Sequence, residues 1–148
     1  MEAAAGSVAD RMAIGELFVR YATALDRGEV PTVVDCFTAD AVLESPVIGR
    51  IAGHAAIRAF AERFAAQRAA GTQFRHLVTN IAAEFGGGGD SARATAYLLV
   101  FITHDGASRR LPPGRYECEI VRDGERWRFC RRAVFHDHDY TLAGIGNR

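Results

Sequence analysis

His76 and Asp26, which lie far apart in the chain, have the residue types needed for general base catalysis. Histidine titrates near neutral pH, so an imidazole can accept or give a proton there. His76 lies between apolar residues in the segment FRHLVTN. A buried carboxylate on its second ring nitrogen would fix the tautomer and stabilise the charged ring. Asp26 ends the first predicted helix, where the helix dipole disfavours a carboxylate, so we expect another interaction to favour it. A satisfied core histidine and a surface aspartate are the alternatives.

Polar groups that could stabilise negative charge lie on the same predicted helix and on the last predicted strand. Tyr21 lies five residues before Asp26 on the apolar stripe of the same helix, about 140° around the axis. Its hydroxyl needs a partner if it is buried. The last predicted strand carries Arg132 on one face and Arg131 on the other, among apolar residues. We expect one of them to enter a pocket, where a guanidinium could bind a carbonyl, an oxyanion or a leaving group. A surface or interface arginine is the alternative.

Metal, nucleotide and lysine chemistry find little support in the sequence. On a strand, His136 and His138 would point the same way, as half of a metal site. No further ligands cluster nearby, so a polar strand end is the preferred interpretation. The chain contains no Lys, no glycine-rich phosphate loop, no HExxH and no GxSxG. Its three Cys lack CxxC spacing and are expected to be buried as small apolar residues. We expect neither a metal nor a cofactor.

Hydrophobic spacing predicts the elements that would position these groups. Apolar residues at steps of three and four predict helices at about 7–26 and 54–70. Between them we predict shorter elements: a helix from Pro31 to about Cys36, a turn at 37–40, and extended segments at 41–44 and 46–51 that form a hairpin or an edge strand. From residue 72 onward, alternating segments predict four long strands in an antiparallel meander. Helices followed by strands are typical of an α+β fold.

The predicted strand faces indicate which residues would meet in a pocket. A strongly curved sheet folded over the helices would enclose one. On the first long strand, His76 shares its face with Phe74, Val78, Asn80 and Ala82.

Composition limits the classes of protein that the chain can belong to. Its 148 residues are 49% hydrophobic, so we expect one domain over 1–148 with a core at about 8–140. Basic and acidic residues balance at 18 each, which argues against nucleic-acid partners and a polybasic membrane anchor. No apolar run approaches the ~20 residues that span a bilayer, and the start lacks signal-peptide features. We expect a cytoplasmic protein with a frayed N-terminus and a C-terminal tail over 141–148.

The convex face of a curved sheet would need to be covered, so we expect a homo-oligomer, either a trimer or a dimer. Trp127, Phe129 and Phe135 share one face of the last predicted strand and are candidates for that contact.

The chain resembles the SnoaL-like branch of the nuclear-transport-factor-2-like, cystatin-type α+β superfamily. Four segments carry the resemblance: IGELFVRYATALDRGEVPTVVDCFTADA, GHAAIRAF, RHLVTN and RYECEIVRDGERWRFCRRAVFHD. The resemblance implies a cone-shaped roll in which helices cap a curved sheet around a mostly apolar pocket. Similar members include cofactor-free lyases such as scytalone dehydratase, a bile-acid dehydratase and lindane dehydrochlorinase.

The resemblance implies a catalytic set of His76, Asp26, Tyr21 and Arg132, acting on a hydrophobic, cyclic small molecule. We expect four residues to contact the substrate: Tyr97, Asn80, Val78 and Phe18. Scytalone dehydratase has a second catalytic histidine on the next long strand, which here reads ATAYLLVFITH and has none in its middle. A mechanism that needs two histidines is therefore not expected. The leading hypothesis is a cofactor-independent lyase in which His76, oriented by Asp26, is the base. An isomerase or cyclase of the ketosteroid-isomerase or polyketide-cyclase type, and a non-catalytic ligand-binding domain, are the alternatives.

Overall fold

Helices come first and long strands last in residues 6–140, the part of the chain that the computed structural model describes. The elements are α1 Val8–Arg27, α2 Val30–Asp35, β1 Phe37–Ser45, β2 Gly49–Ala52, α3 His54–Ala69, β3 Gln73–Phe85, β4 Ser91–His104, β5 Ala107–Arg110, β6 Gly114–Asp123 and β7 Arg126–His136. This confirms the predicted α+β class. The predictions for the first five residues and the 141–148 tail lie outside the described residues.

The first helix forms because local capping and an apolar stripe agree. The Ser7 side chain accepts a hydrogen bond from the backbone N–H of Asp10, which caps the N-terminus. Gly28 ends the helix with φ of 73°, the left-handed conformation that glycine adopts readily. Between these caps, Ile14, Phe18, Tyr21 and Leu25 recur at helical spacing and are buried, and Asp26 is buried beside them. The last turn of α1 is therefore held against the sheet.

The strands form a single mixed sheet in the order β2-β1-β7-β6-β4-β3, with β5 paired to β4. All pairs are antiparallel except β1 with β7. The predicted hairpin is present as β1 and β2, but residues 37–40 are the start of β1 and not a turn. The short β5 was not predicted, because all four of its residues are exposed and polar or small.

Register shifts interrupt three strand pairs, β1–β7, β3–β4 and β6–β7, and the shifts on β3 and β7 change the face on which later side chains lie. On β3, Asn80 and Ile81 stand opposite the single Ala96 of β4, and Asn80 has φ of 55°. An extra residue in a strand moves every later side chain to the other face. Ala82 is therefore exposed and Ile81 packs against the core. The prediction that Asn80 and Ala82 share the inner face with His76 is wrong for this reason.

The second shift lies on β7, where Cys130 is the extra residue between the pairs Arg131–Glu119 and Phe129–Ile120. Trp127 and Phe129 point inward, 6% and 0% exposed. The predicted intermolecular role of these two aromatics is therefore wrong, because they belong to the core of the chain itself.

The core fills the space between α1 and the concave side of the sheet. Phe18, Tyr21, Phe37 and Phe129 pack there mainly edge to face, with ring centroids 5.2–6.0 Å apart. On the convex side, large apolar side chains remain exposed at adjacent strand positions; we call Leu77, Tyr97 and Phe101 the outward patch. No helix within 6–140 is long and apolar enough to cross a membrane.

Candidate active site

A cavity of about 100 Å³ opens between α1, α3 and the concave side of the sheet. Its wall is mostly aliphatic and aromatic, with contributions from β1, β3, β4, β6 and β7. Polar side chains also converge on it from several elements: Tyr21, Ser45, Arg63, Gln67, His76, Tyr116, Arg132, His136 and Tyr140. An apolar cavity with a few convergent polar groups is the usual form of a small-molecule site.

His76 and Asp26 meet at one wall of this cavity. The Nδ1 atom of His76 lies 2.5 Å from Oδ1 of Asp26, and the backbone N–H of His76 donates to Oδ2 at 2.8 Å. Both side chains are almost fully buried, at 7% and 10% exposure. A carboxylate can only accept, so Nδ1 carries the hydrogen and the neutral ring has its lone pair on Nε2. Within residues 6–140, Nε2 has no protein hydrogen-bond partner.

The contact also explains why a carboxylate ends α1. Asp26 is the last residue but one of α1, where the helix dipole opposes a negative charge. Its two hydrogen bonds to His76 offset that cost, and Gln73 ties the same turn to β3 by donating to the Asp26 carbonyl at 3.2 Å. Asp26 itself stands behind His76 and does not line the cavity. It can act on a ligand only through the imidazole.

Arg132 enters the cavity as a buried cation. Its guanidinium carbon lies 4.0 Å from the ring centroid of Tyr21 and 3.9 Å from that of Tyr116, so the cation is placed between two aromatic faces. The residue is 3% exposed, and its Nε has no hydrogen-bond partner in the described chain. None of the ion pairs formed within 6–140 involves Arg132. An unpaired buried cation makes this part of the cavity a site for an oxyanion or a carbonyl oxygen.

Tyr21 adds a neutral donor beside this cation. Its hydroxyl is buried with no partner among the described residues. Burial raises the pKa of Tyr21 to about 12, even though the nearby Arg132 opposes the shift. The hydroxyl therefore keeps its proton at neutral pH and can donate a hydrogen bond. Gln67 places a third partnerless buried atom, its Oε1, in the same cavity.

The structure thus brings His76, Tyr21 and Arg132 to one cavity, with Asp26 behind the histidine. The four residues expected to bind substrate do not line it. Tyr97 alternates with the buried Ala96 and Leu98 and is 60% exposed on the convex side. Asn80 is turned outward by the register shift. These expectations were wrong because strand parity and the shift place both side chains away from the cavity.

Phe18 and Val78 are on the concave side, but they belong to the packed core. Phe18 is 1% exposed and contacts the rings of Phe129 and Tyr116, which leaves it no cavity surface. Val78 is half-buried against the same core.

Four further cavity residues were not predicted from the sequence: His136, Tyr140, Gln67 and Tyr116. His136 had a signal, since it lies on the same strand face as Arg132. Although His136 and His138 are close in sequence, they face different surroundings: His136 lines the cavity, whereas His138 is exposed and hydrogen-bonded to the Asp139 carbonyl. Residues 6–140 hold no group of three or more potential metal ligands.

Comparison with known proteins agrees with this architecture. The model of the SnoaL-like domain matches residues 6–133. None of the proteins with curated descriptions matches the chain. A protein from Novosphingobium aromaticivorans, proposed to be an aromatic ring hydroxylase, is 30% identical over 91% of this chain and 94% of its own, with a TM-score of 0.76.

Two further solved structures share the fold at lower identity. ActVI-ORFA from Streptomyces coelicolor is 23% identical over 90% of this chain and 99% of its own, with a TM-score of 0.78. A nuclear-transport-factor-2-like protein with a cystatin-like fold from Novosphingobium aromaticivorans is 23% identical over 90% and 85%, with a TM-score of 0.78. The matched domain and the shared architecture show that this chain belongs to the SnoaL-like family, with the cystatin-like α+β fold of its nuclear-transport-factor-2-like relatives.

Proposed function

We propose that the protein is a cofactor-independent lyase that removes water from a hydrophobic cyclic carbonyl compound. The observation that carries this proposal is a buried imidazole, held by a carboxylate, in the same small cavity as an unpaired guanidinium. The first group can accept a proton and the second can receive the negative charge that the proton leaves behind. Both are needed when a C–H bond next to a carbonyl is broken.

His76 is the proposed base. Its Nε2 lone pair takes the proton, and the carboxylate of Asp26 stabilises the imidazolium that forms. Because Oδ1 and Oδ2 are both engaged by His76, the ring is held in one orientation and one tautomer. A positioned general base contributes about 10²–10⁴-fold to a rate. The remaining acceleration must come from positioning and from stabilising the charge that develops on oxygen.

Arg132 and Tyr21 are the proposed acceptors of that charge. The guanidinium is fixed between two aromatic rings, and the adjacent hydroxyl is protonated and partnerless. Donors that are already oriented in a site poor in water need little reorganisation when an enolate oxygen appears. Loss of one such donor costs about 10²–10³-fold in kcat in enzymes of other families.

The cavity limits the size and polarity of the substrate. Its aliphatic and aromatic wall favours an apolar body. Its volume of about 100 Å³ is below the roughly 150 Å³ of an engineered apolar cavity that holds benzene, so a single ring would fill it. A substrate with more than one ring would extend through the mouth, where Arg63 is exposed on α3.

An isomerase that moves a double bond is the second candidate, because the same base and the same oxyanion site would serve it. Two small probes separate the candidates, since both give the same conjugated cyclohexenone, which absorbs strongly in the ultraviolet. A β-hydroxycyclohexanone reaches that product by losing water. A β,γ-unsaturated cyclohexenone reaches it by migration of the double bond.

The experiment compares the wild type, His76→Gln and the control His138→Gln on both probes. A lyase converts the hydroxyketone, an isomerase converts only the unsaturated ketone, and the His76→Gln variant loses at least 10²-fold in either case. The control should keep full activity because His138 is exposed outside the cavity. Absence of conversion of both probes would favour a ligand-binding domain, and unchanged activity in His76→Gln would show that His76 is not the base.

A further inference from the structure

A second histidine faces the cavity with its ring fixed by its surroundings. His136 lies near the end of β7, on the same side as Arg132 and Val134. Its Nδ1 is 2.9 Å from the carbonyl oxygen of Pro112, and its Nε2 is 3.2 Å from the hydroxyl of Tyr140. The two rings meet edge to face, with centroids 4.6 Å apart. A carbonyl can only accept, so Nδ1 carries a hydrogen and Nε2 is the atom that exchanges protons with Tyr140.

The neighbouring strand is shaped to accept this ring. Gly114 of β6 pairs with His136 across the ladder. A Cβ at position 114 would stand 2.7 Å from the Phe135 carbonyl oxygen and 3.0 Å from Nδ1 of His136. A larger residue would therefore require the backbone at Phe135 or the imidazole of His136 to shift. Glycine at this position permits the observed ring placement.

We propose that Tyr140 and His136 form the acid side of the site: Tyr140 gives a proton to the leaving hydroxyl, and His136 replaces it from behind. This inference rests on the proposed dehydration. In its charged form, His136 donates through both ring nitrogens, so Nε2–H points to the Tyr140 oxygen. The phenolic hydrogen is then free to turn to a ligand oxygen in the cavity that both residues line.

The proton and electron balance of the step is complete without a cofactor. The C–H bond breaks, its proton goes to Nε2 of His76, and its electron pair forms the new double bond. The C–O bond breaks, and the departing hydroxide takes the phenolic proton of Tyr140 to become water. Tyr140 takes the Nε2 proton of His136, which ends neutral. Exchange with solvent returns the proton from His76 to His136.

A proton supplied by His136 would have a specific role behind the phenol. Burial raises the pKa of Tyr140, so an unassisted tyrosinate would be a poor product of proton transfer. A proton supplied by His136 avoids that anion. The charged and titratable side chains that share the cavity with His136 come from five strands or helices and the C-terminal segment: Tyr140, Arg132, Tyr116, His76, Tyr21 and Arg63.

The test uses two leaving groups that differ in their need for a proton. Hydroxide must be protonated as it departs, whereas chloride leaves without a proton. A β-hydroxycyclohexanone and a β-chlorocyclohexanone give the same conjugated product, and rates are taken above the uncatalysed background. We expect Tyr140→Phe and His136→Gln to lower kcat/KM for the hydroxyl probe by about 10²-fold or more. Both variants should keep kcat/KM for the chloro probe within about threefold.

Gly114→Ala tests the positioning of His136 by the same comparison. It should lower the rate with the hydroxyl probe and spare the rate with the chloro probe, whereas general damage to the fold would lower both. The control is His76→Gln, which should lose activity on both probes because each needs the C–H proton removed.

The outcomes distinguish a failure of the proposed acid pair from a failure of the proposed dehydration. If the wild type and His76→Gln behave as expected, but Tyr140→Phe affects both probes equally or neither, the acid pair is wrong and the dehydration stands. If the wild type converts neither probe, the proposed dehydration fails and the acid pair fails with it. If His76→Gln is as active as the wild type, His76 is not the base and the proposed mechanism fails.

Discussion

Replacement of Arg132 by methionine should leave the free protein at least as stable as the wild type while removing its activity. The guanidinium is buried, lacks an ion-pair partner within 6–140, and has an Nε without a hydrogen bond. Methionine keeps the apolar stem and lets the cavity wall close over uncharged atoms. A residue kept for its ligand should cost stability when that ligand is absent.

The expected magnitude follows from three opposing contributions. An uncompensated buried charge costs about 3–5 kcal/mol. The stacking of the cation on Tyr21 and Tyr116 returns about 2 kcal/mol for each ring, since both contacts are desolvated. The additional apolar packing of methionine contributes about 1 kcal/mol. The balance favours Arg132→Met by about 0–2 kcal/mol in the free energy of unfolding.

The assay is urea unfolding followed by fluorescence of Trp127, the single tryptophan of the chain, which is buried in the core. Arg128→Met is the matched control on the same strand. Arg128 donates to the Asp35 carboxylate and to two backbone carbonyls, so its loss should destabilise the fold by about 1–3 kcal/mol. A loss of more than about 2 kcal/mol in Arg132→Met would refute the reasoning, because the cation would then be a structural element.

Three other expectations follow from the same contacts. The folded pKa of Tyr21 is raised above its unfolded value of 10.0 to about 12, so its contribution to the free energy of unfolding is complete below pH 10 and is lost as pH rises towards 12. Urea titrations at several pH values should show that the free energy of unfolding falls less steeply with pH in Tyr21→Phe than in the wild type. An equally steep fall in the variant would contradict the burial argument. Asp26→Asn replaces two acceptors by one acceptor and one donor, so it cannot satisfy both N–H groups of His76. We expect kcat/KM to fall about 10²–10⁴-fold and ¹⁵N spectra of the variant to show both tautomers of the His76 ring. The control Asp105→Asn, at an exposed residue, should change neither kcat/KM nor the spectra. If the protein self-associates through the outward patch, sedimentation should give two or three times 16.1 kDa and Leu77→Glu should lower that mass; a monomeric wild type would contradict the expectation.

Local patterns were sufficient to predict most of the elements. The helical spacing of α1 and the alternation of β3 and β4 depend on neighbouring residues, so the sequence carries them directly. The four-residue β5 lacks any apolar alternation and exists because β4 offers it a hydrogen-bonding edge. The beginning of β1 has the same origin, since β7 pairs with it at Phe37. Elements that depend on a distant partner are the ones that local spacing cannot show.

The direction of the site side chains was predictable from the sequence only where no extra residue interrupts the alternation of a strand. His76 precedes the shift at Asn80, so its inward direction followed from the alternation around it. The direction of Arg132 depends on the extra residue at Cys130, for which the sequence has no clear signal. Tyr97 is different: the small and apolar residues on either side of it were enough to place it outward. That error came from weighing residue type above position.

The partnerless polar atoms explain the site better than any single residue does. Within residues 6–140, the buried side-chain atoms without a hydrogen-bond partner belong to Tyr21, Gln67 and Arg132, and all three side chains line the same cavity. Each such atom costs about 1–3 kcal/mol when it has no hydrogen-bond partner, so the presence of three of them in side chains of one cavity indicates that a ligand binds there. Two are donors and one, the Gln67 oxygen, is an acceptor. A ligand that meets the two donors needs an acceptor oxygen, which an apolar ring without oxygen cannot supply.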